Sequence, residues 1–190
     1  MSLIIINQPA TEPVTLAEAK LHCKVDDSAD DTLITALIVS ARERAQHCLG
    51  RALITQTLEQ VLDTFPNGIK LPLPPAKTIV SVNYINPYGI QQTLAAETYE
   101  LDKDSSPGWL VPAYGFRWPD SRAVPNAVRV RYTAGYGAAA DVPASIKSWM
   151  LLAIGTLYSQ REVVITGAPV QELPNYFFDG LLDPYRVYQL

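Results

Sequence analysis

The sequence predicts an α+β protein: a small helical bundle of two N-terminal helices plus a long C-terminal helix, with an inserted small antiparallel β section. Three observations carry that prediction. Apolar residues recur at three- and four-residue steps over 30–49 and again over 143–161. Between them, 51–140 breaks into short β-branched runs separated by proline, asparagine and glycine turns. Each helical stretch also offers an apolar stripe, so the economical packing brings the two together. The expected division is residues 10–50 and 141–190 as the helical bundle with a C-terminal tail, and 51–140 as the inserted β section.

The first helix is expected over Leu16–Lys24, opened by a capping box. The Thr15 hydroxyl accepts from the backbone N–H three residues on, and Glu18 reaches back to the Thr15 N–H. Leu16, Ala19 and Cys23 share its apolar face. The second helix runs from Asp30 to Leu49 on Leu33, Ile34, Leu37, Ile38, Ala41, Ala45 and Cys48, capped by Ser28 or Asp30 and stopped by Gly50. From Ala52 to Phe65 the pattern alternates, and Pro66-Asn67-Gly68 marks a turn. Strands are predicted at Ile69–Leu71 and at Thr78–Ile85, the latter with Val80, Val82 and Tyr84 on one face. Weaker strand patterns occupy Thr98–Leu101 and Trp109–Val111, and a strong one Val128–Tyr132. The third helix starts at Asp141 and Pro143 and lasts to Arg161. Leu151 and Leu152 carry its apolar set around the back, so that it needs cover on most sides. Residues 162–190 read as irregular, with a short helix near 176–182.

Composition narrows the function classes. The chain has 190 residues and a formal charge of −4, where a protein that grips duplex DNA usually carries a basic total. Two cysteines make no disulfide framework, so a reducing compartment is expected. The run Leu3-Ile4-Ile5-Ile6 lacks a basic flank and closes early at Asn7-Gln8-Pro9, which argues against a signal peptide. The apolar run from Trp149 to Ile154 falls well short of the ~20 residues that span a bilayer. No membrane partner is expected.

No pattern builds a catalytic, metal or cofactor site. His22-Cys23 and His47-Cys48 are helix neighbours whose side chains diverge by about 100°, and the cysteines fall on apolar faces as small hydrophobes. Counted from Asp26 or Asp27, the acids Asp26, Asp27, Asp30 and Asp31 lack the glycine and glutamate of a calcium loop, and read instead as helix punctuation. There is no nucleophile elbow and no phosphate-cradling loop. Pro72-Leu73-Pro74-Pro75 reads as a stiff strand entry, with a polyproline ligand as the other reading. Arg129 and Arg131 share one strand face with Tyr132 opposite; this suits either a stacking groove for bases or a subunit contact.

Five stretches in order resemble the head–tail connector family of tailed bacteriophages, also called head-completion or adaptor proteins. They are Pro13 to Lys20, Leu49-Gly50-Arg51-Ala52-Leu53, Leu71 to Pro75 leading into Val80-Ser81-Val82, Val128 to Gly137, and Val142 to Lys147 with the helix closed by Tyr158 to Glu162. The resemblance implies a non-enzymatic virion protein, assembled in the host cytoplasm, with no cofactor. It implies a ring of about a dozen copies joining the portal protein to a tail or stopper protein, with DNA passing through unbound. A ring demands more apolar surface than one core needs, which points to Leu151, Leu152, Val163, Val164 and Ile165 as interface residues, joined by Arg129 and Arg131 because arginine is enriched at subunit contacts. Residues 162–175 are expected to form an arm lying on a neighbour. The rival reading is a nucleic-acid-binding accessory of phage DNA packaging, and a hydrolase using the scattered acids stands behind it.

Overall fold

A computed structural model describes residues 2–160, 178 and 180–187. The chain divides into two compact units, each assembled from separated segments: Met1–Ala10 with Thr55–Tyr136, and Thr11–Ile54 with Gly137–Leu190.

The first unit is all β. Its strands are β1 (Ser2–Asn7), β2 (Gln56–Leu62), β3 (Ile69–Lys70), β4 (Ala76–Ile85), β5 (Gln91–Thr93), β6 (Tyr99–Asp102), β7 (Trp109–Pro112) and β8 (Val128–Ala134). They form a five-stranded sheet in the order β1-β2-β8-β4-β5 and a three-stranded sheet in the order β3-β7-β6. Every pairing is antiparallel. Two-residue alternation gives the larger sheet one core face. There the rows Leu58–Tyr132–Ile79, Gln60–Val130–Val82 and Leu62–Val128–Tyr84 lie across β2, β8 and β4. Ile69, Leu71 and Leu110 of the smaller sheet and its approach are buried with them. The Tyr132 hydroxyl donates to the Pro72 carbonyl at 2.6 Å, and burial pushes its pKa well up.

β1 was not foreseen as a strand, because its partner β2 lies some fifty residues away in sequence and no local signal announces the pairing. β5 was likewise missed, since Gln91-Gln92-Thr93 carries no apolar alternation. The expected common face of Val80, Val82 and Tyr84 does not form. The register shifts between Ala76 and Thr78 and again between Ile79 and Ser81, so Val80 is a bulge residue turned outward while Val82 is fully buried.

The second unit holds α1 (Leu16–Cys23), α2 (Asp31–Leu49) and α3 (Ala144–Ser159). The capping box of α1 is present, with Glu18 accepting from the Thr15 N–H and the Glu18 N–H donating to the Thr15 hydroxyl. Gly50 ends α2 at φ +63°, in the left-handed region that glycine enters freely. Ile34, Ile38, Ala41, Ala45 and Leu49 of α2 are buried, as are Ile146, Trp149, Met150 and Ile154 of α3. Asp30 does not cap α2 through its side chain; its carboxylate accepts from the Tyr158 hydroxyl of α3 at 2.5 Å. Asp31 pairs with Lys20 at 2.6 Å, and Asp27 accepts from the Ala29 N–H. The acids between α1 and α2 therefore tie the bundle together as well as punctuating it. The last described stretch returns to the end of α2, where the Val187 N–H donates to the Leu49 carbonyl and Arg51 Nε to the Tyr185 carbonyl.

Candidate interaction surfaces

The outer face of the five-stranded sheet is the most organised polar surface of the first unit. Three cross-strand rows make it: Thr57–Thr133–Thr78, Glu59–Arg131–Ser81 and Val61–Arg129–Asn83. The hydroxyls of Thr78 and Thr133 bond at 2.7 Å, and separately the Thr93 hydroxyl donates to Asn83 Oδ1 at 2.7 Å. At its centre Glu59 accepts from Arg129 Nη1 at 2.9 Å and from Arg131 Nε and Nη2 at 3.2 and 2.9 Å. The Glu59 side chain is 6% exposed, whereas the two arginines are 46% and 40% exposed. Burial pushes the Glu59 carboxyl up, but the hydrogen bonds and charges of the two guanidiniums outweigh it and hold it below the usual carboxylate range. One carboxylate beneath two guanidiniums leaves a net positive charge whose position is fixed by the fork geometry. Arg129 and Arg131 are thus brought together, through a glutamate that the sequence reading did not single out. No local signal marks it, because Glu59 comes opposite Arg131 only through the pairing of β2 with β8.

Tyr132, expected opposite these arginines, lies on the other side of the sheet and is fully buried. Trp149 is buried in the helical unit and stacks on Phe178 with ring centroids 5.0 Å apart. Trp118 stacks on Phe65 at 5.0 Å. These three aromatics serve packing, so among the described residues they offer no stacking groove for bases beside the arginine pair. The proline run is likewise engaged at Pro72 by Tyr132, and Leu71 and Pro74 are buried.

In the second unit, the described residues do not cover α3 on all sides. Leu151 and Leu152 are half-buried and Leu157 is 47% exposed. The sequence reading that α3 needs more cover than one core supplies therefore locates Leu151 and Leu152 on incompletely covered flanks. Val163, Val164 and Ile165 lie outside the described residues. A groove of 530 Å³ opens beside the start of α1, between Val14, Leu16, Ile38 and the Ala138–Ala140 turn. Its one carboxylate, Glu12, is already held by Arg42 at 2.8 Å. Among the described residues no three His, Cys, Asp or Glu side chains are grouped so as to hold a metal ion, and no described helix is long and apolar enough to cross a membrane.

Residues 13–99 match the family model of phage gp6-like head-tail connector proteins. Among curated proteins no relative matches significantly. Among solved structures, a chain in the neck of an empty GTA particle, computed with C6 symmetry, superposes with a TM-score of 0.82 at 17% identity, covering 100% of this chain and 97% of that one. A chain from the virion of a native gene transfer agent particle gives 0.81 at 18% identity, with the same coverage. A chain from the neck of the native GTA particle, computed with C12 symmetry, gives 0.76 at 19%, again with the same coverage. The resemblance read from the residues is thus met by a family model over 13–99 and, in fold, by neck proteins over the whole chain.

Proposed function

We propose that this chain, which carries the head–tail connector signature over 13–99, is a structural virion protein that forms a ring around the DNA channel at the neck of a tailed phage or phage-like particle. The observation that carries the reading is the family match. The fold likeness to neck proteins supports it, and so does the division of labour in the molecule. Its organised polar face and its incompletely covered helix flanks suit contact with protein, and neither frames a cleft with converging acids or histidines.

A ring places one patch of each copy against a different patch of the next. The Arg129–Glu59–Arg131 face and the Leu151–Leu152 flank of α3 are two such patches of unlike chemistry, and residues 163–165 add a third. Partners above and below the ring are the portal protein and a tail or stopper protein, met during assembly in the host cytoplasm. The formal charge of −4 suits a conduit through which DNA slides, because phosphate binding is chiefly cationic. No catalytic step is assigned.

Native mass measurement of the purified protein, alone and mixed with portal rings, tests this. A closed ring in either sample is expected, weakened in Arg129→Glu/Arg131→Glu and in Leu151→Glu variants. A monomer in both samples that binds DNA with a steep salt dependence would establish the packaging-accessory reading in its place.

A further inference from the structure

The two edges of the five-stranded sheet are defended very differently. On the β5 side the edge strand is three residues long. The uncovered remainder of β4 carries register shifts at Lys77 and Val80, so that edge is short, kinked and charged. These are the devices by which sheets resist further pairing. On the other side β1 runs six residues, Ser2 to Asn7, without a charged residue or a proline. Its register against Val61–Leu58 is regular from Ser2 to Ile5, and its one irregularity, at Ile6, falls at the far end. Ile4, Ile5 and Ile6 are 41%, 44% and 37% exposed. Among the described residues no strand covers the outer side of β1. An apolar, uncharged, regular edge of this length is a template for one more strand.

The occupant must be an uncharged extended segment. Among the described strands, β2, β3, β4, β6 and β8 carry charges, β5 has three residues, and β7 is paired on both sides; β1 set against a second β1 would be a two-fold contact, which does not propagate around a ring. The sequence holds one further run of the right character outside the described residues, Val163-Val164-Ile165-Thr166, β-branched throughout. It lies between Gln160, at the end of α3, and Phe178, which is stacked back on Trp149 of the same helix. A stretch of about 17 residues at ~3.3 Å each can travel out and return over roughly 25 Å, enough to cross to an adjacent subunit. We infer that the outer edge of β1 receives residues 163–166 of a neighbouring copy as an added strand. This rests on the ring reading above, since edge and arm are the two unlike patches that a head-to-tail contact needs.

The test uses full-length protein under the conditions in which the wild type forms its ring. Ile5→Lys places a charge on the edge, and Val164→Pro removes a backbone donor from the arm. Each is expected to raise the concentration at half-assembly by about tenfold or more, and the two together no further than either alone, because both remove one contact. Ile90→Lys, an exposed change at the β4–β5 turn, should leave assembly unchanged. Mixing the two single variants should yield dimers that neither forms alone, since the arm of the first copy still meets the edge of the second. Unaltered assembly in either variant, additive losses, or no dimers on mixing would each overturn the inference while leaving the ring intact as a reading. Failure of the wild type to form a ring with or without portal would remove the connector reading itself. Unchanged circular dichroism and melting of the dissociated variants separate lost contacts from lost folding.

Discussion

Replacing Glu59 by glutamine interrogates the organised face of the sheet. The substitution keeps the volume and one acceptor oxygen but turns the other side-chain oxygen into a donor, which must then confront a guanidinium. Three hydrogen bonds converge on the carboxylate, at 2.9, 3.2 and 2.9 Å. A hydrogen bond to a charged group contributes about 1.5–3 kcal/mol where it is well shielded. Both arginines are more than a third exposed, so water and salt screen the pair and the contributions do not sum. The expected loss is about 2 kcal/mol in the first unit at neutral pH. Its pH dependence follows from the lowered folded-state pKa of Glu59. The stabilisation is fully present above the ordinary glutamate value of 4.5, and drains away as pH falls through the lower folded value. The difference between wild type and Glu59→Gln should therefore be largest at pH 7 and shrink below about pH 4.5. Hydrogen-exchange protection of peptides spanning β2 and β8, measured at both pH values, reads the opening free energy directly. A cost under about 0.5 kcal/mol, or a difference that does not narrow on acidification, would refute the assignment of Glu59 as the anchor of the arginine pair.

Three further outcomes are expected. Thr15→Ala removes the hydroxyl half of the α1 capping box and should cost about 1 kcal/mol, seen as a drop of roughly 2–4 °C in thermal midpoint. Tyr132→Phe deletes the bond to the Pro72 carbonyl and should cost about 1–2 kcal/mol by leaving that acceptor without its donor, measured by urea unfolding. Gly137→Ala should be more damaging than either, because a Cβ there meets the Asp141 carboxylate and the backbone sits at φ +147°. Expression of soluble protein and its melting temperature report that loss.

What the sequence made legible was whatever is decided within a few residues. The Thr15–Glu18 box, the Gly50 stop and the buried stripe of α2 need only their neighbours and stand where the spacing put them, although Leu33, read as part of that stripe, stays exposed. The strands at 69 and 128 were legible for the same reason. Features decided at long range were not. β1 becomes a strand only because β2 is beside it. Val80 turns outward because of the register that β8 imposes on β4. Asp30 looked like a cap, yet its carboxylate answers to Tyr158, which lies 128 residues further along. The arginine pair was visible as a pair, but Glu59, which fixes it, required knowing which strand runs alongside β8.

The segment exchange between the two units bears on how the protein is made. The chain begins in the first unit, leaves it at residue 10, returns at 55 and departs again at 136. A ribosome delivers these pieces in order, so the sheet stays open until its middle strand β8 emerges, and the helical bundle waits longer still for α3. Nascent chains consequently lack both finished surfaces through most of synthesis. Any contact built on those surfaces is thereby postponed until the strands and helices that frame them have all been made.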